Sequence, residues 1–355
     1  MKLSDLHSLG TSVWIDDLSR AKLTGQAPGS LPHRISQGAR GVTTNPSIFS
    51  AAITGSADYA VDIAEMKGAS VESVIEKLTT DDVRRACDLF SELYRASNRV
   101  DGRVSIEVDP RLAHDTEATI KQAHHLWQLI DRPNVMIKVP ATLAGIPAIT
   151  RLIADGISVN VTLIFSRQRY EAVIDAFIAG CEGNSGDLSQ VQSVASFFVS
   201  RIDSAIDPLL KARNAQHLCG AVAVANARLA YKLYEEKVAS SRWQECGARG
   251  GQMQRPLWAS TGVKDPSYSS TLYVDTLVAP QTVNTMPQPT IDATIAGGAN
   301  LGYPFDYHSA ESVINSLADF GISFDEITAE LERDGVAKFE QAWIDLLANV
   351  EKALE

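Results

Sequence analysis

Residues 134–142 read NVMIKVPAT, and the fold turns on how Lys138 is explained inside that apolar run. An ammonium is costly to bury without a partner. On a strand, Val135, Ile137 and Val139 share one face, and Met136 and Lys138 share the other. The same division recurs elsewhere. In RVSIEVD (103–109), Val104, Ile106 and Val108 oppose Ser105, Glu107 and Asp109. In ISVNVTLI (157–164), four aliphatic residues oppose Ser158, Asn160 and Thr162. In TSVWID (11–16), Val13 and Ile15 oppose Ser12, Trp14 and Asp16. Further β-branched or aromatic runs lie at 41–45, 191–198, 256–260 and 272–278, which makes eight candidate strands. Helical periodicity marks 116–130, 167–180 and 219–240 between them.

Strands alternating with helices imply right-handed crossovers and a parallel sheet. Helices normally cover both faces of such a sheet, so a polar face is anomalous in an open one. A closed (β/α)8 TIM barrel removes the anomaly: the aliphatic face meets the outer helices and the polar face points inward. A doubly wound open sheet is the alternative. The polar residues Asp16, Asn45, Glu107, Lys138, Asn160, Thr162, Ser196 and Ser260 fall late in their strands. That places them at the C-terminal mouth, where barrel enzymes carry their chemistry.

Two regions exceed a minimal barrel. Residues 47–98, between strands 2 and 3, read as three helices, and 308–355 contain a long amphipathic helix. The linker-like stretches 23–33 and 278–289 mark no boundary, so residues 1–355 are expected to form a single domain. GGANLG (297–302) is expected to be a loop or helix cap, because no strand leads directly into it as a nucleotide cradle requires.

The formal net charge of −11 argues against a large basic surface for nucleic acid. It leaves room for a small phosphorylated substrate held by one or two local cations. The four cysteines lie far apart without a CxxC pair, as expected of reduced thiols. The sequence has no signal-peptide pattern and no apolar run near the ~20 residues of a membrane span. His114, His124 and His125 lack an HExxH pattern, so no metal is assigned to them.

Desolvation disfavours an ammonium and so favours a nucleophilic free amine. Such an amine attacks a carbonyl to form a Schiff base, whose iminium draws electrons from an adjacent carbon–carbon bond. Carboxylates must then move protons, and Glu107 and Asp16 are available. On the residues alone, Lys138 is equally compatible with a phosphate contact or a buried ion pair.

The segments GVTTNPSIF (41–49), VSIEVDPRL (104–112), MIKVPAT (136–142), ISVNVTLIFS (157–166), ASFFVSRID (195–203) and WASTGVKDP (258–266), in this order, resemble the transaldolases. The likeness runs across nearly the whole chain and is strongest to the longer bacterial subgroup. The resemblance implies that Lys138 is the Schiff-base lysine and that Asp16 takes and returns the substrate hydroxyl proton. It implies that Glu107 acts through a water held by Thr162. Asn45, Asn160 and Ser196 then contact the sugar, Phe198 lines the site, and Arg201 and Ser260 contact phosphate. One departure stands out. Better-known members carry an arginine two residues beyond the serine matching Ser260, where this chain has Gly262. Lys264 is the candidate replacement, although a lysine offers a point charge in place of a bidentate fork.

The implied reaction moves a dihydroxyacetone unit from sedoheptulose 7-phosphate or fructose 6-phosphate to glyceraldehyde 3-phosphate or erythrose 4-phosphate, in the pentose phosphate pathway. The protein's own amine makes a cofactor or metal unnecessary. The expected partners are sugar-phosphate substrates, without nucleic acid or membrane, for a cytoplasmic monomer or homodimer. An aldolase releasing free dihydroxyacetone and a catalytically silent sugar-phosphate binder are the alternatives.

Overall fold

The computed structural model describes residues 3–297 and 302–354. GGANLG, apart from its two terminal glycines, therefore lies outside the described residues. Eight strands form a closed parallel ring: β1 (Thr11–Asp16), β2 (Gly41–Thr43), β3 (Arg103–Glu107), β4 (Val135–Pro140), β5 (Val159–Ile164), β6 (Ser193–Phe198), β7 (Arg255–Ala259) and β8 (Thr282–Met286). Each pairs with its sequence neighbour, and β8 returns to β1 through pairs such as Val13 with Asn284.

The seven earlier strands fall where the residue pattern puts them. The eighth does not. LYVDTLV, expected as strand, forms the helix Leu272–Thr276, and the ring is closed instead by TVNTM from the stretch read as a linker. Three of the five residues of β8 are polar because its neighbours are polar too. Thr282 bonds Thr11 on one face, while Thr285 meets Thr43 at 2.6 Å on the other.

The aliphatic residues of β3, β4 and β5 are buried against the surrounding helices, and the alternate residues point into the ring. Asp109 departs from this pattern. It lies beyond the end of β3, caps the turn Pro110–Leu112 and holds Arg111. At the N-terminal end the ring is plugged by ion pairs. Asp101 accepts from Arg40, Arg255 and Ser12, while Arg103 bonds Ser158 and the carbonyl of Arg99. The polar groups at the opposite end remain available.

Between β2 and β3 stand four α-helices and one short 3-10 turn rather than three helices: Pro46–Thr54, Ala60–Glu65, Val71–Leu89 and Ser91–Ala96, with the turn at Ala57–Tyr59. The first α-helix ends before Gly55–Ser56, and Gly68, at φ +91°, turns the chain before the third α-helix. The long C-terminal helix, Phe324–Leu354, buries Gly335, Val336, Phe339, Leu346 and Val350. A Cβ on Gly335 would lie 3.0 Å from Leu163 and 3.4 Å from Phe165, so this helix comes close to the end of β5. Arg169 clamps it bidentately through Glu332, with both contacts at 3.0 Å. Among the described residues, no helix is long and apolar enough to cross a membrane.

Candidate active site

The register sets the site. Glu107 pairs with Lys138 across β3 and β4, and Lys138 with Asn160 across β4 and β5, so three polar side chains stand at one level on consecutive strands. All three are buried. The ammonium of Lys138 has two partners. Nζ donates to the Thr44 carbonyl oxygen at 2.6 Å and lies 3.4 Å from Glu107 Oε2. Thr162 Oγ1 donates to the other oxygen of Glu107 at 3.3 Å. Burial pushes the Glu107 carboxyl above its usual range, with Lys138 and Thr162 opposing the shift.

Between Val161 and Ile164 the β5–β6 register shifts, and Leu163 takes a φ of +60°. This irregularity interrupts the pairing around Thr162, and it resumes at Ile164 opposite Phe197.

Asp16 ends β1 on the same mouth. Its Oδ1 accepts from Thr43 Oγ1 at 2.7 Å, and Thr43 in turn meets Thr285. Burial pushes the Asp16 carboxyl above its usual range, opposed by the Thr43 hydrogen bond and the Lys138 charge. Asp17 points away from the mouth and pairs with Lys22.

On the far side, Ser196 Oγ donates to Asn160 Oδ1 at 2.7 Å, and Asn160 Nδ2 donates to Ser105 at 3.1 Å. Asn45 serves as a helix cap: its Oδ1 accepts from Ile48 N, which leaves its amide NH2 for a ligand. Phe198 stacks on Arg201, whose guanidinium carbon sits 5.1 Å from the ring centroid. Arg201 Nη1 is buried and has no hydrogen-bond partner among the described residues. A buried donor in that state is suited to an incoming anion.

Ser260, at φ +55°, bonds Ser200 through both its hydroxyl and its carbonyl. Lys264 lines the same cleft, and its Nζ lies 4.0 Å from where a Cβ on Gly262 would stand. The lysine head thus reaches back beside the position where the resemblance expects an arginine. Pro287 limits that position further, at 3.2 Å from the same Cβ point.

The cleft of about 180 Å³ therefore brings together Asp16, Asn45, Lys138, Thr162, Ser196, Phe198, Arg201, Ser260 and Lys264. Glu107 and Asn160 join it through direct contacts with Lys138 and Ser196. A wider cleft of about 580 Å³ lies beside Arg34, but that arginine is already bonded to Asp292, Gln288 and Gln37. Thr43, the Thr44 carbonyl and Phe339 are among the contributors that escaped the sequence reading. The Phe339 ring, from the C-terminal helix, has its centroid 5.9 Å from Lys138 Nζ. Thr43 was accessible to the alternation argument, because it follows Val42 on β2. Nothing in the sequence marks the other two.

Among the described residues no group of three or more His, Cys, Asp and Glu side chains is arranged to hold a metal ion. His124 and His125 instead meet Asp155 and Glu76 on helix surfaces.

The family model for transaldolase/fructose-6-phosphate aldolase matches residues 13–350. A protein named transaldolase from Saccharopolyspora erythraea is 52% identical over 99% of this chain and 98% of its own length. One named transaldolase 1 from Streptomyces avermitilis is 53% identical, covering 99% of this chain and 95% of the relative. A transaldolase from Mycolicibacterium smegmatis is 52% identical over 97% and 95% respectively.

Proposed function

Because this chain belongs to the transaldolase/fructose-6-phosphate aldolase family, we propose that Lys138 is its Schiff-base lysine, with Asp16 and Glu107 as the carboxylates that move protons. The reaction is transaldolase chemistry of the pentose phosphate pathway. A dihydroxyacetone unit passes from sedoheptulose 7-phosphate or fructose 6-phosphate to glyceraldehyde 3-phosphate or erythrose 4-phosphate. The observation that carries the residue assignment is the buried Lys138 between Glu107 and the Thr44 carbonyl, at the mouth of the barrel.

The amine of Lys138 attacks the ketose carbonyl, and Glu107 shuttles protons through a water held by Thr162 while hydroxide leaves as water. The resulting iminium accepts the electron pair of the adjacent carbon–carbon bond as Asp16 takes the proton of the neighbouring hydroxyl. The shortened aldose departs, and an enamine stays on Lys138. The acceptor aldehyde then adds to that enamine, Asp16 returns the proton, and hydrolysis frees the amine. Asn45, Asn160 and Ser196 orient the sugar hydroxyls. Phe198 and Phe339 exclude water that would otherwise reach the enamine.

Residues 1–355 act as one domain in this reading. Side chains from Asp16 to Phe339 of one chain line the cleft, which is compatible with a monomer as well as a homodimer. A cytoplasmic location fits the sugar-phosphate substrates. Activity is expected to survive exhaustive EDTA treatment, since the electron sink is an amine. Loss on chelation, restored by a divalent ion, favours a metal-dependent aldolase.

Arg201 is the main phosphate anchor in this reading, and Lys264 the second cation. A charge-assisted hydrogen bond contributes roughly 1.5–3 kcal/mol, or about 10- to 150-fold in affinity. Arg201→Ala is expected to raise KM for erythrose 4-phosphate by that order, and the more exposed Lys264 less when truncated. Unphosphorylated glyceraldehyde should be used almost normally by both variants. Parallel losses with the two acceptors mark a folding defect instead of a lost anchor.

A further inference from the structure

Arg201 and Lys264 sit on different elements, the helix Ser200–Ala212 and the loop after β7. One stripe of that helix is tied at four points to the stretch 260–273 that follows β7. Ser200 bonds Ser260 at 2.9 Å. Asp203 accepts from the Tyr273 hydroxyl at 2.8 Å, and Asp207 from the Tyr268 hydroxyl at 2.7 Å. Lys211 donates to Asp265 at 3.1 Å. The spacing 200, 203, 207, 211 follows a single helix face. The free oxygens of the two aspartates are also engaged: Ala223 N donates to Asp203 at 2.8 Å and Gly220 N to Asp207 at 3.2 Å. The aspartates are thus fixed from behind before they hold the tyrosines.

Lys264 stands at the end of this ladder, next to Asp265. It borders both the active cleft and a separate open pocket of about 400 Å³ lined in part by Asp203, Asp207, Tyr268 and Tyr273. An exposed lysine on a loop has little else to fix its place. Its own contribution to phosphate binding depends on where the loop is held, because Gly262 imposes no side-chain packing there.

We propose that Tyr268 and Tyr273, through Asp207 and Asp203, are positioning residues that hold the Lys264 loop at the distance from Arg201 at which both cations meet one phosphate. The proposal rests on the reading of Arg201 and Lys264 as phosphate contacts. The tyrosines touch no substrate; they determine selectivity for phosphorylated over plain acceptors by setting the geometry of the two cations.

The test replaces each hydroxyl alone, as Tyr268→Phe and Tyr273→Phe, in the full chain. Tyr268 is only half-buried, so its variant should fold even where the fully buried Tyr273 proves sensitive. Loss of one hydrogen bond predicts about a five-fold rise in KM for erythrose 4-phosphate. The inhibition constant of inorganic phosphate should rise by the same factor. kcat, and kcat/KM for glyceraldehyde, should stay at the unmodified enzyme's values. Equal losses with both acceptors, or unchanged phosphate parameters in Tyr268→Phe, overturn the proposal. Arg201→Ala and Lys264→Ala run alongside. If they discriminate between acceptors and Tyr268→Phe does not, the ladder fails and the anchors stand; if they do not discriminate either, both readings fail.

Discussion

Lys138→Ala is expected to keep the fold and lose turnover on the order of 10⁴-fold or more, the scale on which removing a covalent nucleophile disables an enzyme. No other amine among the residues lining the cleft can substitute, because Lys264 lies on the phosphate side and Lys138 alone touches Glu107. Truncation also removes the charge facing Glu107. That carboxyl is already pushed upward by burial, so it can take a proton rather than remain an unpaired buried anion. Borohydride added with fructose 6-phosphate should fix a three-carbon adduct on Lys138 of the unmodified enzyme and nowhere else. Adduct on a different lysine, or turnover near normal in the alanine variant, rules out the Schiff-base assignment.

Asp16→Asn should reduce turnover by about 10²- to 10⁴-fold, the range for loss of a positioned acid–base group. The amide retains an acceptor for Thr43 yet takes no proton from the substrate hydroxyl. Schiff-base formation should survive while bond cleavage stalls. Borohydride should then trap the uncleaved six-carbon sugar phosphate on Lys138, and mass spectrometry separates it from the three-carbon adduct. A three-carbon adduct formed at the normal rate shows that Asp16 is not the base.

The same substitution tests the electrostatics. Burial makes the folded Asp16 carboxyl hold its proton to higher pH than the unfolded chain does. Folding stability from this group is greatest below the unfolded value and falls as pH rises through the folded one. Asp16→Asn should therefore melt higher than the parent at neutral pH, with the advantage shrinking in acid. The acidic limb of kcat/KM should likewise sit above the ordinary carboxylate range of about 4.

The residue pattern exposed the barrel through β3, β4 and β5, where aliphatic and polar faces separate cleanly. It missed β8 because TVNTM hides its role in threonine-to-threonine bonds that exist only once the ring has closed. LYVDTLV misled for the opposite reason. Tyr273 and Val274 are buried, but against neighbouring helices and loop rather than in a sheet, and burial alone does not distinguish the two. In the site, Lys138, Glu107 and Asp16 could be read because their chemistry sits in side chains at fixed strand positions. The Thr44 carbonyl could not, since any residue offers one. Phe339 reads as an ordinary apolar position of an amphipathic helix, and only the tertiary path of Phe324–Leu354 shows that the surface beneath it is the mouth. Asn45 was legible in place, while its duty as a helix cap at Ile48 emerges only with the backbone.

In the proposed reading, the position of Phe339 orders the assembly of the site along the chain. A nascent chain can present Lys138 and Glu107 early, but β1 has no β8 to pair with until Thr282–Met286 leaves the ribosome. Even then the mouth stays uncapped until the helix carrying Phe339 follows and Arg169 clamps Glu332. A fragment that stops short of this helix carries Lys138 without the Phe339 ring beside it. In that reading, synthesis delivers the reactive amine before the aromatic ring that covers it.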